Sequence, residues 1–131
     1  MIKEKLIMKK FIKLASYLSV FLLLSLGTAY ANKASVVIDA SDSVAKGSEV
    51  TIKLNVMHNG DNIFHHVEWI YVKVNGKEVA RWDFSAFNRP ESENFTREVK
   101  YTINEPVQIE AEASCNIHGS AGITKAAIDV K

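Results

Sequence analysis

Cys115-Asn116-Ile117-His118-Gly119 holds the only cysteine of the chain, and the other three histidines lie upstream at His58, His65 and His66. Thiolate and imidazole are donors that transition metals prefer over hard cations. Cys115 and His118 are three positions apart and His58 and His65 are seven apart. The two groups can share one ion only if the fold brings residues near 60 and near 116 together. Mixed imidazole and thiolate ligands suit zinc, copper or iron. A structural zinc site usually closes with four ligands and often several cysteines. One thiolate among several imidazoles looks more like a redox centre, in which the thiolate tunes the metal. The residues themselves leave iron and copper both open. A single surface histidine is ordinarily a solvated polar residue, but here every histidine and the sole cysteine fall in two short stretches. His65 and His66 open what reads as a strand, where neighbours point to opposite faces. One of the two is therefore expected to be a ligand and the other its neighbour.

The elements that must position these residues read as short alternating strands. Val50, Ile52, Leu54 and Val56 interleave with Thr51, Lys53 and Asn55, the period of two of a strand with one buried face. Val107, Ile109, Ala111, Ala113 and Cys115 alternate in the same way with Gln108, Glu110, Glu112 and Ser114. That pattern places the Cys115 thiol on the apolar side at a strand end, with His118 on the loop that follows. Further strands are expected at 34–40, 66–74, 78–84, 94–103 and 122–130. Asn75-Gly76 is a strong hairpin signal between two of them. Gly47, Asn59-Gly60, Asn88-Arg89-Pro90 and Asn104-Glu105-Pro106 punctuate the rest. About seven strands with no helical periodicity beyond the leader predict an all-β, immunoglobulin-like antiparallel β-sandwich.

The first residues read as a cleavable signal peptide rather than as part of that sandwich. Lys3, Lys5, Lys9, Lys10 and Lys13 form a positive front, Leu14 to Leu26 is mostly apolar, and Ala29-Tyr30-Ala31 has the small-x-small pattern of a signal-peptidase site. The apolar run is shorter than the roughly 20 residues that span a bilayer. The expected division is 1–31 signal peptide and 32–131 mature domain, exported and most simply periplasmic. The leader takes five of the 16 basic residues and one of the 15 acidic ones, leaving 11 against 14, a net charge of minus three. That sign argues against nucleic acid and against an anionic membrane surface as partners. A single cysteine excludes an intrachain disulfide, and a bound metal is a good reason to keep an unpaired thiol in an oxidising compartment.

His58-Asn59-Gly60, the segment His65-His66-Val67-Glu68-Trp69-Ile70, and Cys115-Asn116-Ile117-His118-Gly119 resemble the iron-binding domain of superoxide reductases, the desulfoferrodoxin and neelaredoxin family. The resemblance runs from about Val44 to Gly119. It implies an immunoglobulin-like sandwich holding one mononuclear iron that cycles between Fe2+ and Fe3+. It implies His58, His65 and His118 as imidazole ligands and Cys115 as the axial thiolate, with Cys115 and His118 also serving the reaction. His66 stays outside that ligand set, and Trp69 would pack nearby. The implied reaction is reduction of superoxide to hydrogen peroxide, with electrons from an external donor protein. Homo-oligomerisation is open. The family's fourth equatorial histidine, and the lysine and glutamate of the same N-terminal loop, have no counterpart, since no histidine precedes His58.

Two alternatives belong to other classes. A cupredoxin-like copper-binding electron carrier also pairs an upstream histidine with a late cysteine and histidine. However, Ser120, Ala121 and Gly122 follow His118 where a methionine is usual, and Met57 is the only methionine of the mature chain. The other alternative is a non-catalytic sandwich interaction module. Arg81, Trp82, Phe84, Phe87 and Arg89 form a basic-aromatic group in the sequence, which reads either as a partner surface or as ordinary hairpin packing with solvated arginines.

Overall fold

The computed structural model covers residues 1–131 and describes the side chains of residues 1–19 and 32–131. Contacts divide the chain into two compact units, Met1–Ala31 and Asn32–Lys131. The first is the helix α1, Ile2–Ala31. The later part of the apolar run and the Ala29-Tyr30-Ala31 segment lie outside the residues whose side chains are described. Among the described residues, no helix is long and apolar enough to cross a membrane.

The second unit is built of strands β1 (Ser35–Asp39), β2 (Ser43–Val44), β3 (Ser48–Met57), β4 (Val67–Val74), β5 (Lys77–Asp83), β6 (Phe95–Ile103), β7 (Val107–Cys115) and β8 (Thr124–Val130). They form a three-stranded sheet in the order β1-β3-β6 and a five-stranded sheet in the order β2-β8-β7-β4-β5. The expected sandwich is therefore present, with one departure. The additional two-residue strand β2 pairs in parallel with β8 through Ser43↔Asp129 and Val44↔Val130. Two residues are too few to carry an alternation, so this strand exists only because β8 lies beside it.

The core follows the period of two. Val50, Ile52, Leu54 and Val56 of β3 are buried against Ile109, Ala111 and Ala113 of β7, Ile70 and Val72 of β4, and Ile128 of β8 within one apolar cluster. Each large aliphatic side chain so buried stabilises the fold by roughly 1.5–3 kcal/mol. Asn75 and Gly76 both have positive φ, 49° and 79°, as a type I′ hairpin between β4 and β5 requires. The pairing of β4 with β7 shifts register between Val67 and Trp69. As a result Val67 and Ile70, three positions apart, are both buried. The ring of Trp69 instead stacks on Tyr71 at 5.7 Å, with the Arg81 guanidinium 5.3 Å above it.

The basic-aromatic group does not form one surface. Arg81 pairs with Asp83 at 2.9 Å, Trp82 packs on the core, Phe84 meets Phe95 edge-on at 5.6 Å, and only Phe87 stands almost fully exposed at 95%.

Candidate metal centre

His58 immediately follows β3, in the three-stranded sheet, whereas Cys115 is the last residue of β7, in the five-stranded sheet. The centre thus sits at the end of the sandwich where the two sheets face each other. The remaining donors come from the loop between β3 and β4 and from the loop after β7. Strand pairing brings these loops together: β4 runs antiparallel to β7 with Val67 opposite Cys115, so the residue before β4 and the residue after β7 are neighbours.

Asn116 extends that pairing past the strand ends. Its backbone N–H donates to the His66 carbonyl at 3.1 Å. Its Oδ1 accepts from His66 N–H at 3.0 Å, and its Nδ2 donates to the Phe64 carbonyl at 3.1 Å. Asn62 shapes the first loop from inside, because its Oδ1 accepts from Phe64 N–H at 2.9 Å and from His65 N–H at 3.0 Å, an Asx turn. The loop is also tied outward, by Arg89 Nε to Asp61 Oδ1 at 3.2 Å and by His58 N–H to Asn94 Oδ1 at 3.3 Å. In the second loop Cys115 and Gly119 exchange two backbone hydrogen bonds of 3.0 Å, and Gly119 takes φ 75°. The loop is tight enough that the N–H groups of Ile117 and His118 aim at Cys115 Sγ, at 3.4 and 3.5 Å.

The donor atoms of His58, His65 and Cys115 lie within 4.8 Å of one another. His118 Nδ1 adds a fourth donor, 3.1 Å from His65 Nε2 and 3.9 Å from Cys115 Sγ. The rings of His58 and His65 are 4.7 Å apart and edge-on, as are those of His65 and His118 at 4.8 Å. All four residues singled out in the sequence are thus gathered from both sheets. His66 is also buried, but its Nδ1 meets the Asn62 carbonyl at 3.1 Å. His65 and His66 do not open a strand, as the sequence predicts, since β4 begins only at Val67. The loop and its Asn62 turn, rather than strand alternation, orient the two rings.

Both ring nitrogens of His58 are buried and have no hydrogen-bond partner. An unsatisfied buried imidazole nitrogen costs about 1–3 kcal/mol, and a metal ion is a partner that relieves this cost. Burial, together with the neighbouring imidazoles of His58, His118 and His66, lowers the His65 pKa below its ordinary value. That shift favours the neutral ring, the form that offers a lone pair. Cys115 is a free, buried thiol whose sulfur faces the backbone N–H groups of Ile117 and His118. A mixed set of imidazoles and one thiolate suits iron as well as other borderline transition metals.

Gly60, Asn62, Asn94 and Asn116 also shape the centre. Asn59-Gly60 was legible as a turn and Asn116 as part of the late motif, directly after the cysteine, but neither as a residue that seats the ligands. Asn62 and Asn94 could be found only from their contacts.

Residues 27–121 match the family model of desulfoferrodoxin. None of the curated protein sequences matches the chain. Among solved structures, a variant of superoxide reductase (neelaredoxin) from Ignicoccus hospitalis is 18% identical, with a TM-score of 0.63 over 77% of this chain and 83% of that one. A candidate superoxide reductase from Thermotoga maritima is 25% identical, with a TM-score of 0.56 over 73% of this chain and 85% of that one. A CARDB domain from Pyrococcus furiosus, solved with di-metal ions, is 14% identical, with a TM-score of 0.55 over 77% of this chain and 97% of that one.

Proposed function

This chain belongs to the desulfoferrodoxin family, and from that premise we propose that it is an exported, mononuclear non-haem iron protein of the superoxide reductase type. It reduces superoxide to hydrogen peroxide with electrons from an external donor protein. The single observation that carries the reading is His58, whose two ring nitrogens are buried without a partner beside His65 and Cys115. The iron-binding character of the family favours iron over the copper of the cupredoxin-like alternative.

His58, His65 through Nε2, His118 through Nδ1 and Cys115 through Sγ would hold the ion. Ferrous iron bound there would supply the single electron that superoxide takes. His58 and Cys115 are buried and form the floor of the site, whereas His65 and His118 are half-buried and form its solvent side. A small anion therefore approaches past the two outer imidazoles. The N–H groups of Ile117 and His118 hold the Cys115 sulfur as an acceptor and moderate the electron density it can donate. Asn116 fixes the distance between the loops, so that the outer imidazoles stay close to the thiolate. Export is part of the same reading: the lysine-rich front, the apolar run and Ala29-Tyr30-Ala31 support cleavage after Ala31 and a periplasmic mature domain.

Metal analysis and the visible spectrum of protein purified from anaerobic cells test the assignment. About one iron per chain is expected, as the donor set suffices for one mononuclear centre, with a thiolate-to-ferric charge-transfer band that Cys115→Ser removes. Copper at full occupancy, or no metal under native expression, would sink the assignment. Superoxide added to the ferrous protein should oxidise it and yield peroxide. Bound iron that fails this step would leave an iron protein that is not a reductase.

A further inference from the structure

The first residues of the Asn32–Lys131 unit touch both loops that carry the proposed ligands. Asn59, next to His58, donates from Nδ2 to Asn32 Oδ1 at 3.4 Å. Two residues on, Ala34 N–H donates to the Gly119 carbonyl at 3.2 Å, and Ala121 N–H donates to the Ala34 carbonyl at 2.8 Å. Ala34 is fully buried at 0% exposure and forms a parallel bridge with Ser120. The segment is therefore pinned beside His118 at one end and reaches across to the His58 loop at the other. An extended chain advances at most about 3.6 Å per residue. The backbone nitrogen of Asn32 thus lies within about 7 Å of the Ala34 nitrogen that is bonded to the loop of His118.

We propose that removal of the leader after Ala31 sets the new α-amino group of Asn32 at the mouth of the metal centre, between the two ligand loops, where its positive charge attracts the small anion the centre takes. The inference rests on the export reading above and adds a role for the cut itself. Hydrolysis of the Ala31–Asn32 bond by a signal peptidase places the hydroxyl of water on the Ala31 carbonyl carbon and its hydrogen on the Asn32 nitrogen. The freed amine then carries an extra proton at pH 7. Before the cut, the same nitrogen is a neutral peptide N–H.

The charge matters because the rest of the domain works against an anion. Residues 32–131 carry 11 basic and 14 acidic side chains, so the overall field repels superoxide, and a local cation at the mouth decides the approach. One unit charge about 8 Å from a bound anion, at an effective dielectric constant near 60, changes its affinity about threefold. The effect should vanish near 1 M salt, where the screening length is about 3 Å.

The test uses cobalt(II)-loaded protein and azide as the anion probe, read in the visible spectrum, which keeps it independent of whether iron is the native metal. Three forms are compared: the exported, processed chain, the same chain with its α-amine acetylated, and a chain beginning at Ala29, which moves the amine by about 10 Å. Matching thermal unfolding and cobalt content establish that the three are equally folded. The expected result is a processed mass that begins at Asn32 and azide affinity about threefold weaker in the two altered forms at low salt, with equal affinities near 1 M salt. Equal affinities at low salt would overturn the proposal, and so would a mature chain that begins elsewhere. Absence of iron from the native protein, or no reaction of the ferrous form with superoxide, would overturn the functional reading while leaving the azide comparison decisive for this one.

Discussion

Gly60 offers the most direct test of how the site is packed. It has φ +136°, and a Cβ built on it would stand 2.5 Å from His65 Nδ1 and 2.9 Å from His65 Cε1. Ordinary contact begins near 3.5 Å, so in Gly60→Ala the imidazole must retreat by about 1 Å. The ring has little room to do so. Its Nε2 is already 3.1 Å from His118 Nδ1, and the His58 ring stands edge-on at 4.7 Å. Two effects follow and can be separated. The backbone conformation, rare for a residue with a side chain, should cost about 1–3 kcal/mol in urea unfolding of the metal-free protein. Displacement of one ligand ring should lower metal affinity by about 10- to 100-fold, read by competition with a chelator for zinc or cobalt. Gly122→Ala is the control, because Gly122 has φ +123° but nothing within 4 Å of its added Cβ. It should show the loss of stability without the steric displacement of His65. Gly60→Ala with unchanged metal affinity would refute the argument that Gly60 is there to seat His65.

Three other outcomes follow from the same contacts. In His58→Leu the two unpartnered buried nitrogens disappear, so the metal-free protein should gain about 1–3 kcal/mol in urea unfolding while losing the rise in Tm that metal gives the parent; a less stable metal-free variant would contradict this. Asn116→Ala removes the acceptor of His66 N–H and the donor to the Phe64 carbonyl and should cost about 1–3 kcal/mol, with a matching increase in hydrogen exchange at His66. Tyr71 donates to Glu112 Oε2 at 2.7 Å, and burial first, then the Glu112 hydrogen bond and charge, push its phenol from 10.0 up to about 12. A folded pKa above the unfolded one means that this stabilisation is fully present below pH 10.0 and is lost as pH rises through about 12. Alkaline unfolding of Tyr71→Phe should lack that component, and identical pH profiles would count against the coupling.

The strands were legible wherever one face is buried over several residues. β3 and β7 span Ser48–Met57 and Val107–Cys115, close to or at the limits their alternation predicts, because each such residue either enters the apolar core or meets water. The register shift at the start of β4 was not legible. It depends on how Glu68 and Trp69 meet Ser114 and Cys115 on a neighbouring strand, which no local pattern records. The same holds for β2, too short to leave a period, and for the division of His65 from His66, which the Asn62 turn decides.

By itself the sequence determined the donor set, one thiolate and a few imidazoles in two short stretches, because side-chain chemistry belongs to each residue alone. It also determined which faces of the long strands point inward, since that period is local. Only the tertiary structure decided that the donors meet. Convergence requires β4 to lie beside β7 with Val67 opposite Cys115, and it requires the end of β3, in the other sheet, to bring His58 over them. These pairings join residues far apart in the chain and are set by packing of the whole sandwich. The same packing lays Asn32 and Ala34 across both ligand loops, a placement that no spacing in the sequence announces.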